Sequence, residues 1–203
     1  MTAVSCTFCN LAMFSKYIFA EDERFYFVAT PGQITDGGYA LIIPKRHVRC
    51  LGALEEQEIP LLEKAIDRCA TALSREYGES VTIFEHGVVG QTIPHAHLHL
   101  APVKYDFAAQ LARDFPYNGV ANLANWNDLR IAYGKSDMPY LLSQHNTKGL
   151  YVCWNPNAQP QYLRIVLANA LGRPERANWR TMDPEIDKRL VQKTISRLKL
   201  YFS

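Results

Sequence analysis

Gln91-Thr92-Ile93-Pro94-His95-Ala96-His97-Leu98-His99-Leu100 is the stretch that decides how this chain is read. Histidine falls at alternate positions, with small or apolar residues between. Alternate side chains of an extended strand share a face, so the three imidazoles point the same way at intervals of about 6.6 Å. Ala96, Leu98 and Leu100 then face a core. Three of the six histidines in the chain sit within the five residues His95–His99. Two chemistries suit such a row. In one, His95 and His97 share a tetrahedral catalytic metal. In the other, only one histidine binds metal and the others handle phosphate.

Working outward, residues 80–85 read as a strand joined to residues 95–103 by a glycine-containing turn at 87–90. Before them, Leu61, Leu62, Ala65, Ile66, Cys69, Ala72 and Leu73 recur at three- and four-residue spacing. That is one face of a helix, with Pro60 in its first turn and Gly78 at its C-cap. Residues 24–30 and 39–44 read as strands of a hairpin across the turn-rich 31–38. Downstream, residues 107–115 read as a short helix and 116–127 as a loop. Residues 140–144 and 150–154 read as paired strands across 145–149, and 162–171 as a helix. Asp183-Pro184-Glu185 opens a final helix, with Asp as N-cap and Pro at the first position. That helix carries Ile186, Leu190, Thr194, Leu198 and Tyr201 along one face. The natural boundary falls near residues 102–106.

Composition narrows the class. A chain of 203 residues, 48% hydrophobic, supports a sizeable core without a disulfide framework. A net charge of +2 is too small to make nucleic acid or an anionic membrane the expected partner. The basic residues near the C-terminus, Arg173 to Lys199, read as a solvated helix face. No run approaches the roughly twenty apolar residues that span a bilayer. The first twenty residues lack a basic start followed by an apolar run, so no secretory leader is expected. Five cysteines, an odd number, favour a reducing cytoplasm.

Cys6-Thr7-Phe8-Cys9 places two thiols close together near the start. A redox pair wants a strand before it and a helix after it, and neither is evident. Two buried cysteines need no further explanation. Half of a structural zinc site needs two more ligands, and His47 and His95 are available. A Cys₂His₂ site is closed and therefore structural, which frees His97 and His99 for chemistry.

His95-Ala96-His97-Leu98-His99-Leu100-Ala101 resembles the signature of the histidine triad (HIT) superfamily. The Cys6/Cys9 pair, Tyr39-Ala40-Leu41-Ile42-Ile43-Pro44-Lys45-Arg46-His47 before a helix, and Gly90-Gln91-Thr92 match it in order and approximate spacing. The resemblance covers about residues 4–103, half the chain. It implies an α+β fold, an antiparallel sheet with a long helix, forming a catalytic domain over residues 1–103. Residues 104–203 are then an α-rich extension: a lid, a pseudo-dimer half or a packing segment. The resemblance further implies structural zinc on Cys6, Cys9, His47 and His95. His97 attacks an α-phosphorus to form a nucleotidyl–histidine intermediate. His99, Gln91 and Thr92 contact the phosphate. Many members are homodimers, so a homodimer or a pseudo-dimeric monomer is expected.

His99 in the third triad position, where the uridylyltransferase branch typically has Gln, points to hydrolysis. The expected substrate is a nucleotide or its conjugate, such as a dinucleoside polyphosphate or a nucleoside phosphoramidate. Nucleotidyl transfer, or a catalytically weak nucleotide-binding adaptor, are the alternatives. Two departures stand out. The position that often carries a ribose-binding Asp falls near Ala29 or Thr30. Glu85 stands where many members place an Asn beside the phosphate, so it is read either as a sugar-facing substrate residue or as the partner of an Arg. In the extension, Trp126, Arg130, Trp154, Arg164 and Arg180 are candidates to reach the substrate.

Overall fold

The computed structural model of the protein describes residues 6–145 and 148–202. A short helix α1 (Leu11–Phe14) precedes strands β1 (Ile18–Glu21), β2 (Phe25–Ala29) and β3 (Ala40–Pro44). The long helix α2 (Ile59–Tyr77) leads to β4 (Val81–Gly87) and β5 (Leu98–Pro102). Then follow α3 (Phe107–Asp114), β6 (Val120–Leu123), α4 (Trp126–Ser136), β7 (Tyr140–His145), β8 (Lys148–Trp154), α5 (Tyr162–Ala170) and α6 (Pro184–Leu198). The strands form one sheet in the order β1-β2-β3-β5-β4-β7-β8-β6, with antiparallel pairing throughout. The expected α+β architecture with an antiparallel sheet and a long helix is what the chain adopts.

Helix α2 follows from its sequence. Leu62, Ala65, Ile66, Cys69, Ala72 and Leu73 are buried along one side. Gly78 ends it in the left-handed conformation, φ +70°, which costs a glycine least. This side joins Phe27, Ile42, Leu98, Leu100 and Ile83 in the main core. Trp126, Leu129 and Tyr133 of α4 and Val191 and Leu198 of α6 enter the same core. The opposite face of the sheet carries a second cluster, in which Tyr39, Phe84 and Leu141 meet Phe107, Tyr162, Leu163 and Leu167. Beside it, Phe8 and Phe14 of the N-terminal segment cover Val28, Leu41 and Ile43. The candidate site lies on this second face, between the two coverings.

Two expectations are corrected, and one is extended. The histidine strand begins at Leu98, so His95 and His97 precede it. Neither Pro44 nor Pro94 has an amide hydrogen to extend the ladder, and Ala96 N–H instead donates to Val48 O at 2.7 Å. Residues 116–127 are not all loop: they contain β6 and the start of α4. The segment after Val103 is rich in helix but also adds three strands to the same sheet, since β7 pairs with β4 from Thr82↔His145 to Gly87↔Tyr140. Asn146 and Thr147, in the expected turn between β7 and β8, lie outside the described residues.

Candidate active site

Strand β5 alternates as its sequence demands. Leu98 and Leu100 enter the α2 core, while His99 faces the other way, stacked on Phe84 with ring centroids 4.6 Å apart. His97 lies one step before the strand, its ring 4.9 Å from that of His99. His97 Nδ1–H donates to the His95 carbonyl at 2.6 Å. That bond fixes the tautomer and leaves the Nε2 lone pair free of hydrogen. Burial, with Arg164 adding to it, pulls the His97 pKa down to about 4. The imidazole is therefore neutral, the form that can act as a nucleophile.

His99 is held differently. The Tyr39 hydroxyl donates to His99 Nδ1 at 2.6 Å. Burial raises the Tyr39 pKa, so the phenol keeps its proton, and His99 Nδ1 is the one acceptor that its hydroxyl meets among the described residues. Burial also holds His99 well below the usual imidazole range. The neutral ring then carries its hydrogen on Nε2, and that atom is buried with no partner among the described residues. A buried donor without an acceptor requires an explanation, and an oxygen of a bound ligand supplies one.

His95 does not join this pair. Its ring lies 5.0 Å from that of His47, and its Nδ1 is 3.4 Å from Cys6 Sγ and 3.5 Å from Cys9 Sγ. Cys9 Sγ is 3.2 Å from His47 Nδ1. One ligand atom from each of the four residues lies within 4.8 Å of every other. The edges of a tetrahedral zinc site with these ligands are roughly 3.3–3.8 Å, so the donor set fits zinc. His95 Nε2–H donates to the Pro44 carbonyl at 2.8 Å, which turns the Nδ1 lone pair towards the thiols. The cluster ties the N-terminal turn to the loops flanking β3 and β5. It thereby seats Phe8 edge-on against His97, with centroids 5.4 Å apart.

A cavity of about 300 Å³ opens above the histidines. His86, His97 and His99 line it on one side. Phe8, Phe14, Val28, Leu41 and Ile93 give it an apolar wall. Gly90, Gln91 and Thr92 form a rim, and Gln161, Arg164 and Trp179 close over it from the C-terminal segment. Gly90 is needed for chain packing: at φ +69° a Cβ there would meet the Gln159 carbonyl at 2.8 Å. The Gln91 amide already donates to the Arg49 carbonyl at 2.9 Å. Thr30, one of the two positions aligned with the ribose-binding Asp, lines the cavity, whereas Ala29 is buried.

Glu85 is not in this cavity, and the expectation of a substrate-facing carboxylate is corrected. It points to the α2 face, where it accepts from Leu51 N–H at 2.8 Å and from the Tyr140 hydroxyl at 2.7 Å. No Arg pairs with it among these bonds. Burial pushes its pKa up to about 7 against those two hydrogen bonds. Its neighbour His86 occupies the site face instead, accepting Leu163 N–H on Nε2 at 3.1 Å. No local pattern in the sequence marks His86 or Tyr39 as a site residue. Of the candidates in the extension, Arg164 reaches the cavity; Trp126 is in the main core and Arg130 pairs with Glu56.

The family model described as HIT domain matches residues 14–105. An uncharacterized HIT-like protein of Mycoplasma genitalium is 29% identical over 122 residues, covering 58% of this chain and 82% of that protein. A solved HIT family protein from Bacillus anthracis is 27% identical, with a TM-score of 0.47, over 52% of this chain and 77% of that one. A Zn-bound histidine triad family protein from Mycobacterium smegmatis is 24% identical, with a TM-score of 0.42, over 67% of this chain and 98% of that one.

Proposed function

The chain belongs to the HIT family through its residues 14–105, and on that premise we propose that it is a nucleotidyl hydrolase acting at an α-phosphate through His97. One observation carries the reading: the 2.6 Å bond from His97 Nδ1–H to the His95 carbonyl, which leaves Nε2 as a neutral nucleophile at the cavity.

In the first step His97 Nε2 forms a bond to the α-phosphorus as the bond to the leaving oxygen breaks. The bonding pair departs with that oxygen, and His99 Nε2–H donates a hydrogen bond to its developing charge. Water then adds to phosphorus, the P–N bond breaks, and its electron pair returns to Nε2. The proton of the water leaves to solvent, and a nucleoside monophosphate is released. The apolar wall takes the base and excludes water. Thr92 and Gln91 on the rim contact the phosphoryl oxygens, which requires the Gln91 amide to exchange its bond to Arg49 for one to the substrate.

Zinc on Cys6, Cys9, His47 and His95 supplies a structural tie and no chemistry to the reaction, because its four ligands leave no open position. Thiolate ligands suit a reducing compartment such as the cytoplasm.

The test is His97→Ala assayed on dinucleoside polyphosphates, nucleoside phosphoramidates and nucleotide sugars. Turnover should fall by roughly 10³ or more while nucleotide binding survives. Turnover at the wild-type rate would overturn the mechanism.

A further inference from the structure

The roof of the cavity holds a buried cation without a counter-ion among the described residues. Arg164 is only 4% exposed. Its Nη2 donates to the carbonyls of Gly32, at 2.9 Å, and Arg176, at 3.4 Å. Its Nε is buried and has no partner among the described residues. No carboxylate of the described residues forms an ion pair with it. Burying a guanidinium with only neutral carbonyls and the Tyr39 ring beside it is costly, and charged side chains are rarely enclosed unpaired. An anion brought by a ligand removes that cost.

The position of Arg164 says which anion. It lines the same cavity as His97 and His99, and it is the sole Lys or Arg among the described residues that do so. Its guanidinium carbon lies 5.2 Å from the Tyr39 ring centroid, and Tyr39 is the residue bonded to His99. The cation therefore stands on the His99 side of the site. It is also held firmly. The first turn of α5 is tied to the sheet half of the molecule by Gln161 N–H to the Gly90 carbonyl, 2.9 Å, and Leu163 N–H to His86 Nε2, 3.1 Å. The histidines are neutral and have little charge to offer a departing oxyanion.

We infer that Arg164 receives a second phosphate on the leaving side of the substrate, so that the natural substrate is a nucleoside polyphosphate rather than a phosphoramidate. The inference rests on the proposed function and adds to it a substrate class and a residue outside the HIT domain. When the bridging P–O bond breaks, its electron pair goes to the leaving phosphate. The charge that develops there is met by Arg164 in a water-poor cavity, where a fixed cation acts most strongly.

The experiment compares kcat/KM for a diadenosine polyphosphate and for adenosine 5′-phosphoramidate in wild type, Arg164→Gln and Arg164→Lys. The glutamine variant should lose about 10- to 100-fold on the polyphosphate. That loss should exceed its loss on the phosphoramidate by at least about tenfold, with partial recovery in the lysine variant. Equal losses on both substrates would mean that Arg164 merely braces Gly32, and would overturn the inference. Should the glutamine variant not fold, the wild type decides: inorganic pyrophosphate must inhibit phosphoramidate turnover at least about tenfold more strongly than sulfate does. Equal inhibition overturns the inference as well. A wild type that turns over neither substrate sinks the proposed function itself, which is a different result from turnover of both without discrimination by Arg164.

Discussion

The Tyr39 hydroxyl donates to His99 Nδ1 at 2.6 Å, with both side chains buried and their rings stacked at 5.7 Å. Removing the hydroxyl frees His99 to adopt either tautomer, and only one presents a donor at Nε2. Tyr39→Phe keeps the ring stacking, so stability should change by no more than about 1 kcal/mol. Turnover should fall about tenfold, and further for substrates with poor leaving groups, which depend most on the donor. Rates across a series of leaving groups check this. A loss of the same factor for every leaving group would show that Tyr39 has a packing role alone.

The four-ligand cluster predicts about one zinc per chain in protein purified without chelator, the stoichiometry of a closed site. Cys9→Ser should lose most of the metal and lower the Tm by about 10 °C, because metal binding is linked to folding. Turnover should decline in step with unfolding and not before it. Metal analysis alongside thermal unfolding reads both. A fully folded, metal-free protein that has lost its activity would point instead to a catalytic ion.

Glu85 predicts an unusual dependence of stability on pH. Its carboxyl titrates near 7 in the folded protein because it is buried, with Tyr140 and Cys50 around it supplying no positive charge. An unfolded chain releases that proton near the ordinary 4.5. Between those values the folded state holds the extra proton, so stability falls as pH rises, and the loss levels off above about 7. The full effect is on the order of 3 kcal/mol. Glu85→Gln, which cannot ionise, should flatten the decline measured by thermal unfolding from pH 5 to 8. An unchanged slope in that variant would assign the dependence to another group.

Sequence legibility followed periodicity. Helix α2 could be read because its apolar positions repeat with the helical period and Gly78 stops it. The opposed faces of Leu98 and His99 could be read because the strand alternates. Strand β4 offered no such contrast: from Val81 to Gly87 every residue is buried, so nothing in the pattern told the face of Glu85 from that of His86. The departure of His95 from the strand goes with the backbone bond from Ala96 to Val48, which no local pattern announces. Strand β6, half-exposed at the edge of the sheet, exists through its pairing with β8 rather than through its own residues. Arg164 looks in sequence like any solvated arginine; only tertiary packing makes it a buried one.

The segment after Val103 is proposed to complete the site, and a chain ending near Tyr105 tests that. Truncation strips β7 from β4 and bares that edge of the strand from Thr82 to Gly87, while β5 still pairs with its other edge. It removes the Tyr140 hydroxyl from Glu85, which keeps the Leu51 amide alone of its two partners. It also removes Gln161, Arg164 and Trp179 from the cavity, opening the histidines to water. The truncated chain should therefore aggregate, or pair through the bared β4 edge with a second copy. In the full chain β7 already fills that edge, so this route to a homodimer is closed. Light scattering on both chains reads the assembly, and kcat/KM on a nucleoside polyphosphate should drop by at least about tenfold on truncation. A truncated chain that stays monomeric, soluble and fully active would show that the C-terminal half serves some purpose other than completing the site.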